Sequence, residues 1–296
     1  MQLAVGTRLG DYTVGEKLAS GHIGVIHEAT GPDGPCTLRI LRVELTTDEE
    51  TTEQFVREAR LHAKITHANV AVVLDVGFVA EACVYVAMER LRGDTLAQRL
   101  AQGPLPEAAA IELARRIAAG IRAAHAAGIV HRDLTPANIF LEGSGPKLVG
   151  FGGKELPGAV IGTPAYLAPE QLEGGTSDER SDVYALGCIL FEMLAGRPPF
   201  TGEPAEILAA KLRDAPPPRA PALADLVASM LARRPDQRPS MSAVIAALEA
   251  RPSTFDVVSA WILLALPVLL LIYAIVVAHQ TAEDRPIKPP APKQLR

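Results

Sequence analysis

The sequence of 296 residues has few aromatic side chains, few cysteines and no excess of basic charge. Aromatic residues make up only 4% of the chain, so a folded core must be built mainly from aliphatic side chains. The net charge of −5 argues against a nucleic-acid-binding protein, because such proteins normally carry a basic surface. Cys36, Cys83 and Cys188 are widely separated, which predicts buried thiols in a reducing compartment rather than a disulfide framework or a metal site.

The composition is otherwise that of a globular protein, apart from one long apolar run. Hydrophobic residues make up 48% of the chain, and the mean hydropathy is +0.17. Residues 257–278 contain no charged side chain, and a helix of that length spans about 33 Å, against roughly 30 Å of membrane hydrocarbon. A buried core helix is the alternative, but core helices rarely run so long without a charge. We therefore predict a transmembrane helix, in which Ala274 and Ala278 are four residues apart and offer a contact for a homodimer.

The flanks of this run predict its orientation. Residues 1–10 contain no apolar stretch that would act as a signal peptide, so the large N-terminal part is expected in the cytoplasm. Residues 251–256 then form a short juxtamembrane linker. Residues 279–296 form a short, disordered, extracytoplasmic tail that is too small and polar to make a sensor domain.

Hydrophobic periodicity predicts two regions of different secondary structure before the linker. Short alternating runs indicate strands at 12–18, 25–29, 36–41 and 84–88, with one helix at 51–65 between them. From about residue 95 the pattern becomes helical, with helices predicted at 105–127, 182–195 and 240–250. The chain is therefore expected to have a small β-rich part followed by a larger α-rich part.

Residues 131–138 read HRDLTPAN, which resembles the catalytic loop of eukaryotic-like Ser/Thr protein kinases, usually HRDLKPxN. Further strings follow that family's order along about residues 8–250. They are a glycine-rich stretch at 19–26, a strand at 37–40, a helix at 55–59, a hinge at 88–93, GFG at 150–152, GTPAYLAPE at 162–170, Asp182 and Arg238. The region is similar in particular to the bacterial receptor-type branch. The resemblance implies an α+β, bilobal protein-kinase-like fold, with a β-rich small lobe at about 8–90 and an α-helical large lobe at about 91–250.

The resemblance also implies a role for each matching residue. The catalytic candidates are Arg132, Asp133 as the acceptor of the substrate hydroxyl proton, Thr135, Asn138 and Gly150. The nucleotide-binding candidates are Ala19, Gly21, Gly24, Ile26, Arg39, Glu58, Met88, Glu89 and Leu91. In the family the glutamate at position 58 pairs with the residue at position 39. Asp182 is a structural residue of a buried helix, and Arg238 pairs with Glu170.

Three positions around the expected phosphates depart from the family pattern. Gly150 replaces the aspartate that binds Mg²⁺, which leaves Asn138 as a single weak metal ligand. Arg39 replaces the lysine that holds the α- and β-phosphates, and arginine is not equivalent to lysine at a fitted site. Thr135 replaces the lysine that neutralises the γ-phosphate.

The segment that carries the activating phosphate in many kinases is short in this sequence. Residues 153–167 contain Thr163 as their one Ser or Thr. In the family a threonine at this place more often contacts the catalytic loop than accepts a phosphate. A phosphorylation switch is therefore not expected here.

These departures leave three hypotheses for function. The first is a membrane-anchored pseudokinase that acts by binding a protein partner, such as another kinase or a substrate, and holds ATP weakly, with the use of Mg²⁺ left open. The second is an active ATP-dependent Ser/Thr protein kinase that retains Asp133 and Asn138. The third is a structural membrane adaptor with an empty nucleotide cleft. None of the three involves a nucleic-acid partner.

Overall fold

The computed structural model describes residues 3–20, 24–41, 49–79, 83–151, 163–211, 213 and 221–250. The predicted linker, transmembrane helix and tail, at 251–296, lie outside these residues, as do Gly21 and most of the short segment at 153–167. Among the residues that are described, no helix has the length and apolar character needed to cross a membrane.

The small lobe is built on an antiparallel sheet. Its strands are β1 (Arg8–Leu9), β2 (Tyr12–Ser20), β3 (Gly24–Gly31), β4 (Gly34–Leu41), β5 (Val73–Val79) and β6 (Cys83–Glu89). In the described part of the chain their order in the sheet is β1-β2-β3-β4-β6-β5. The four strands predicted from alternation are confirmed, whereas β1 and β5 are additional to the prediction.

Strand alternation places the two faces of this sheet in different surroundings. In β4, Cys36, Leu38 and Ile40 pack in one apolar cluster, whereas Leu41 packs in a second cluster together with residues of helix α1 (Glu49–His62). Arg39 and Leu41 are two residues apart in the strand, so both side chains lie on the same face, which α1 covers. The helix ends at His62, three residues before the predicted end.

The large lobe is mainly helical. Its helices are α2 (Leu96–Leu100), α3 (Glu107–Ala126), α4 (Pro169–Leu172), α5 (Glu179–Ala195), α6 (Pro204–Lys211), α7 (Pro221–Met230) and α8 (Met241–Glu249). A hairpin of β7 (Ile139–Glu142) and β8 (Gly145–Leu148) follows the catalytic-loop string. The predicted helices at 105–127, 182–195 and 240–250 are confirmed as α3, α5 and α8, with shifted ends.

Helix α5 is the most deeply buried helix described in the large lobe. Every residue from Ser181 to Phe191 is buried, which explains why its sequence is apolar around most of its circumference. Asp178 caps its N-terminus by accepting a hydrogen bond from the N–H of Arg180, and Gly196 ends it with a left-handed φ of 73°. A buried helix with both ends capped is a suitable base for a functional loop.

Two of the three cysteines are free thiols inside the two lobes. Cys36 lies in β4 and Cys188 in α5, and both are buried. Burial raises the pKa of each thiol, that of Cys188 to about 11. The prediction of small buried side chains is therefore confirmed at these two positions.

Candidate functional site

Asp182, near the start of α5, holds the catalytic-loop string in place. Its side chain is 1% exposed and accepts hydrogen bonds from the backbone N–H of His131 at 2.8 Å and of Arg132 at 2.9 Å. His125 of α3 lies 2.7 Å from the same carboxylate. Arg132 has a φ of 67°, an uncommon backbone conformation for a residue other than glycine. The bonds to Asp182 help to stabilise that conformation and so set the direction of the loop.

Asp133 and Asn138 are brought together by the short 3₁₀ turn Pro136–Asn138. The Nδ2 of Asn138 donates to the backbone oxygen of Asp133 at 2.8 Å and lies 3.3 Å from its Oδ2. Thr135 is buried in the same loop, and its uncharged hydroxyl brings no cation there. The loop therefore presents one carboxylate, supported by an amide, as the resemblance implied.

Gly150 lies directly against this pair. Its φ is 81°, and a Cβ atom built on it would lie 3.1–3.3 Å from the carboxamide atoms of Asn138. The backbone here is also tied to the loop, because the N–H of Val149 donates to the carbonyl of Asn138 at 3.0 Å. The chain thus reaches the place from which the family's aspartate would bind a metal, but it brings no carboxylate there.

The residues present do not fit the Mg²⁺ ion that the family implies. Magnesium demands near-octahedral oxygen coordination and is usually held by one or two carboxylates together with phosphates and waters. Here Asn138 offers one amide oxygen, and Gly150 offers no side chain. Within the described ranges, no group of three or more His, Cys, Asp or Glu side chains could hold a metal ion.

Arg39 and Glu58 do not form the ion pair that the resemblance implied. The Arg39 guanidinium lies over the ring of Phe55, 5.5 Å from its centre. Glu58 accepts a hydrogen bond from Gln54 at 3.0 Å and pairs with Arg132 at 3.7 Å. The expected pairing of Glu58 with Arg39 is therefore wrong, because the cation of the catalytic loop takes that place.

Burial acts on both of these charged groups. It lowers the pKa of Arg39, although the carboxylates of Glu58 and Asp133 partly oppose the shift from a distance. Burial also raises the pKa of Glu58, against the effects of the bond from Gln54 and the charge of Arg132. These charges thus lie in a poorly hydrated environment, where an added charge interacts strongly.

The candidates of the glycine-rich stretch lie on β2 and β3. Ala19 and Ile26 are paired directly across these two strands. Gly24 lies so close to β4 that an added Cβ would meet the backbone oxygen of Ile40 at 2.5 Å, which explains why a glycine is needed there. Gly21 falls outside the described residues, so its role stays a prediction.

The hinge candidates Met88 and Glu89 end β6, and Leu91 follows them. Glu89 accepts hydrogen bonds from the Nζ of Lys147 at 2.8 Å and from the backbone N–H of Val72 at 2.8 Å. Its carboxylate therefore connects the small lobe with β8 of the large lobe. No pattern in the sequence indicates this structural task.

Three rings in tilted contact connect α1 with the catalytic loop. Phe151, directly after Gly150, lies between His62 and His131, with distances between ring centres of 4.7 Å and 4.5 Å. Burial lowers the pKa of His62 to about 4 and also lowers the pKa of His131. Both rings are thus neutral at physiological pH, and the Nε2 of His131 also lies 3.0 Å from the carbonyl oxygen of Val149.

The segment at 163–172, which ends in α4, is anchored at two points. The predicted pair of Arg238 and Glu170 is confirmed, with two N–O distances of 2.7 Å and the arginine side chain fully buried. Lys211 of α6, which sequence reasoning does not single out, is 1% exposed and donates to the carbonyls of Ala165 and Leu167. A lysine on a short helix carries no pattern that marks it as buried, so only the tertiary contacts identify it.

Known proteins resemble this chain over nearly the whole described region. The family model for the protein kinase domain matches residues 12–248. The serine/threonine-protein kinase PknL of Mycobacterium bovis is 36% identical over 247 residues, which cover 77% of this chain and 62% of that protein. The serine/threonine-protein kinase pkn3 of Myxococcus xanthus is 33% identical over 259 residues, covering 77% of this chain and 47% of that protein.

A solved structure agrees with the fold. The kinase domain of Mycobacterium tuberculosis PknI, as a crystal structure of a mutant, matches with a TM-score of 0.69 and 26% sequence identity. The match covers 84% of this chain and 99% of that one. The chain spans only about 62% of the length of the PknL relatives, so the activity of those whole proteins does not carry over to it directly.

Proposed function

The chain belongs to the bacterial eukaryotic-like Ser/Thr protein kinase family, and from that premise we propose that it is a signalling protein with impaired phosphoryl transfer. It would then act mainly by binding a protein partner, such as another kinase or a substrate. The family in general uses ATP and Mg²⁺, so the question is how much of that chemistry this site retains.

The observation that carries the proposal is the close approach of Gly150 to Asn138. Phosphoryl transfer depends on positioning and on neutralising the charge of the phosphates. At Gly150 the backbone runs against the Asn138 carboxamide, and no acidic side chain extends from it. Removal of one electrostatic contact in such a site typically lowers the rate by about 10²–10³-fold.

Two further departures act in the same direction. Thr135 is buried and uncharged where the family has a lysine beside the γ-phosphate. Arg39 keeps a positive charge, but its guanidinium rests on Phe55 instead of pairing with Glu58. The effects of several losses within one site are not independent, so multiplying the separate rate reductions does not give the rate of this site. They nevertheless support a turnover far below the value of about 1–100 s⁻¹ that is typical of kinases.

An active Ser/Thr protein kinase is the second candidate, and two observations favour it. Asp133 is held by Asn138 and the loop by Asp182, so the group that would accept the substrate hydroxyl proton is well supported. The relatives that the chain matches are also named as serine/threonine-protein kinases, which favours activity more than impairment.

Membrane anchoring is the other part of the proposal. Residues 257–278 have the length and apolar character of a transmembrane helix, and the kinase-like region precedes them by only a short linker. A domain with so short a linker would work close to the cytoplasmic membrane surface. Protease treatment of sealed inside-out vesicles tests this arrangement. The kinase-like region should be digested while the tail at 279–296 stays protected, and digestion of the tail alone would reverse the proposed orientation.

The test of function is transfer of labelled phosphate from ATP, with Mg²⁺ present, to a generic basic protein and to the chain itself. The matched control is Asp133→Asn, which keeps the shape of the side chain and removes its basicity. We expect the unmodified full-length chain to show no transfer above this control. Transfer that Asp133→Asn abolishes would instead establish the active kinase. In the impaired case, Arg39→Lys, Thr135→Lys and Gly150→Asp in one chain should raise transfer.

A further inference from the structure

Arg39 lies between β4 and helix α1, with no ion-pair partner among the described residues. In the part of the chain that the structure describes, no carboxylate lies within 4 Å of its guanidinium, which instead stacks on the ring of Phe55. The carboxylate of Glu58, which compensates this position in the family, is engaged by Arg132 and Gln54. A half-buried guanidinium favours an anionic partner, because the surrounding protein screens its charge poorly.

The charge around Arg39 also differs from that of a metal-dependent site. Among the described residues, the carboxylates of Glu58 and Asp133 act on Arg39, and Arg132 is a further basic side chain that pairs with Glu58. An aspartate at position 150, as in the family, would add a negative charge beside Asn138, and phosphates would approach that charge only with a divalent cation. Gly150 adds no such charge, so phosphate oxygens face less repulsion there.

The arginine side chain suits direct contact with phosphate. Its planar guanidinium presents several N–H donors in a fixed geometry and binds two phosphate oxygens at once, which a lysine ammonium does not do. The contact with Phe55 is between the guanidinium charge and the face of the ring, so it uses no hydrogen bond of Arg39. Arg39 is paired with Ile26 of the glycine-rich stretch across β3 and β4, so the two side chains lie on the same face of the sheet.

We propose that the cleft binds the phosphates of a nucleotide directly on Arg39, without a divalent cation. This binding rests on the same missing metal ligand as the proposed function, but it concerns binding rather than transfer. The ligand class is a metal-free nucleoside polyphosphate, and Arg39 is its principal contact.

The experiment measures binding of a fluorescent ATP analogue to the full-length chain, once with excess EDTA and once with excess Mg²⁺. We expect saturable binding in EDTA that is as tight as, or tighter than, binding in Mg²⁺. Unlabelled ATP should compete in both conditions. Binding that requires Mg²⁺ would overturn the proposal, and so would the absence of binding in both conditions.

Two pairs of variants assign the effect to the named residues. Arg39→Gln should weaken binding in EDTA by about tenfold or more, the size expected for a lost charged hydrogen bond, whereas Arg60→Gln on the exposed side of α1 should not. Gly150→Asp should shift the preference towards Mg²⁺ by a similar factor. Gly150→Asn is its matched control, because it adds the same bulk beside Asn138 without the charge.

The outcomes separate this proposal from the proposed function. Metal-free binding together with measurable transfer would retain the inference and refute impairment. Binding that depends on Mg²⁺, without any transfer, would refute the inference and retain the proposed impairment. Equal binding by Arg39→Gln and the unmodified chain would overturn the assignment of Arg39. Equal metal preference in Gly150→Asp and Gly150→Asn would overturn the role of charge at this position.

Discussion

Replacing Arg238 by methionine should strongly destabilise the large lobe. The guanidinium of Arg238 donates twice to the carboxylate of Glu170 at 2.7 Å. Its N–H groups also bond the carbonyls of Arg180, Ala232 and Arg233. The side chain is fully buried. Breaking a buried ion pair by removing one partner typically costs about 3–5 kcal/mol, because the other charge remains buried without compensation.

The pH dependence of this loss follows from Glu170. Burial by itself would raise the pKa of Glu170, but the bonds from Arg238 and Ser181 lower it below the ordinary 4.5. In the unmodified chain this group therefore adds stability above about pH 4.5 that is lost on acidification. Without Arg238, burial dominates and the pKa of Glu170 should rise. Arg238→Met should thus lose more free energy of unfolding at pH 7 than at pH 4.

Urea unfolding of the full-length chain at both pH values, followed by circular dichroism, measures this difference. Glu170→Gln and the double variant complete the cycle, and the double variant should lose less than the sum of the two single losses. A loss below about 1 kcal/mol, or one that does not change with pH, would refute the reasoning that an uncompensated carboxylate causes the effect.

Three further predictions concern other buried groups. His62→Leu should flatten the fall in stability on acidification, because burial lowers the pKa of His62 to about 4. As the pH falls from 6.5, protonation of this histidine in the unfolded chain opposes folding by up to about 3 kcal/mol. Urea unfolding across this pH range measures the effect, and an unchanged slope of stability against pH would contradict the prediction. Lys211→Met should speed amide hydrogen exchange in residues 163–168 more than Lys211→Arg does, since only the methionine removes every donor to the carbonyls there. Equal exchange rates in the two variants would show that Lys211 does not hold this segment. Gly24→Ala should lower the melting temperature, because its Cβ would lie 2.5 Å from the carbonyl oxygen of Ile40, and no change would show that β3 shifts freely.

Much of the fold follows from the sequence because its signals are local. The long helix α3 and four strands of the small lobe have periodicities that few other structures would produce, whereas α5 is predicted from an apolar run that ends at Gly196. Strand β5 escapes this reasoning because Leu74 and Phe78 are exposed, so its sequence does not alternate between buried apolar and exposed polar positions. Its place at the edge of the sheet comes from pairing with β6, which is a tertiary contact.

The candidate site divides in the same way. The order of the motifs is enough to predict the pairing of Arg238 with Glu170 and the structural role of Asp182, because both belong to a recognisable pattern. The pairing of Glu58 does not follow from that pattern. Two arginines compete for its carboxylate, and the distances between them depend on how α1 packs against β4 and the catalytic loop.

The sequence by itself determined the family and the order of the two lobes. It also showed that position 150 has no acid and that positions 39 and 135 have no lysine, because residue identity needs no coordinates. Only the tertiary structure decided what the remaining charges do. It placed Arg132 on Glu58, left Arg39 against Phe55 and buried Lys211 under the segment before α4. The physical reason is that electrostatic interactions depend on distance and burial, and both are set by packing between parts of the chain that lie far apart in sequence.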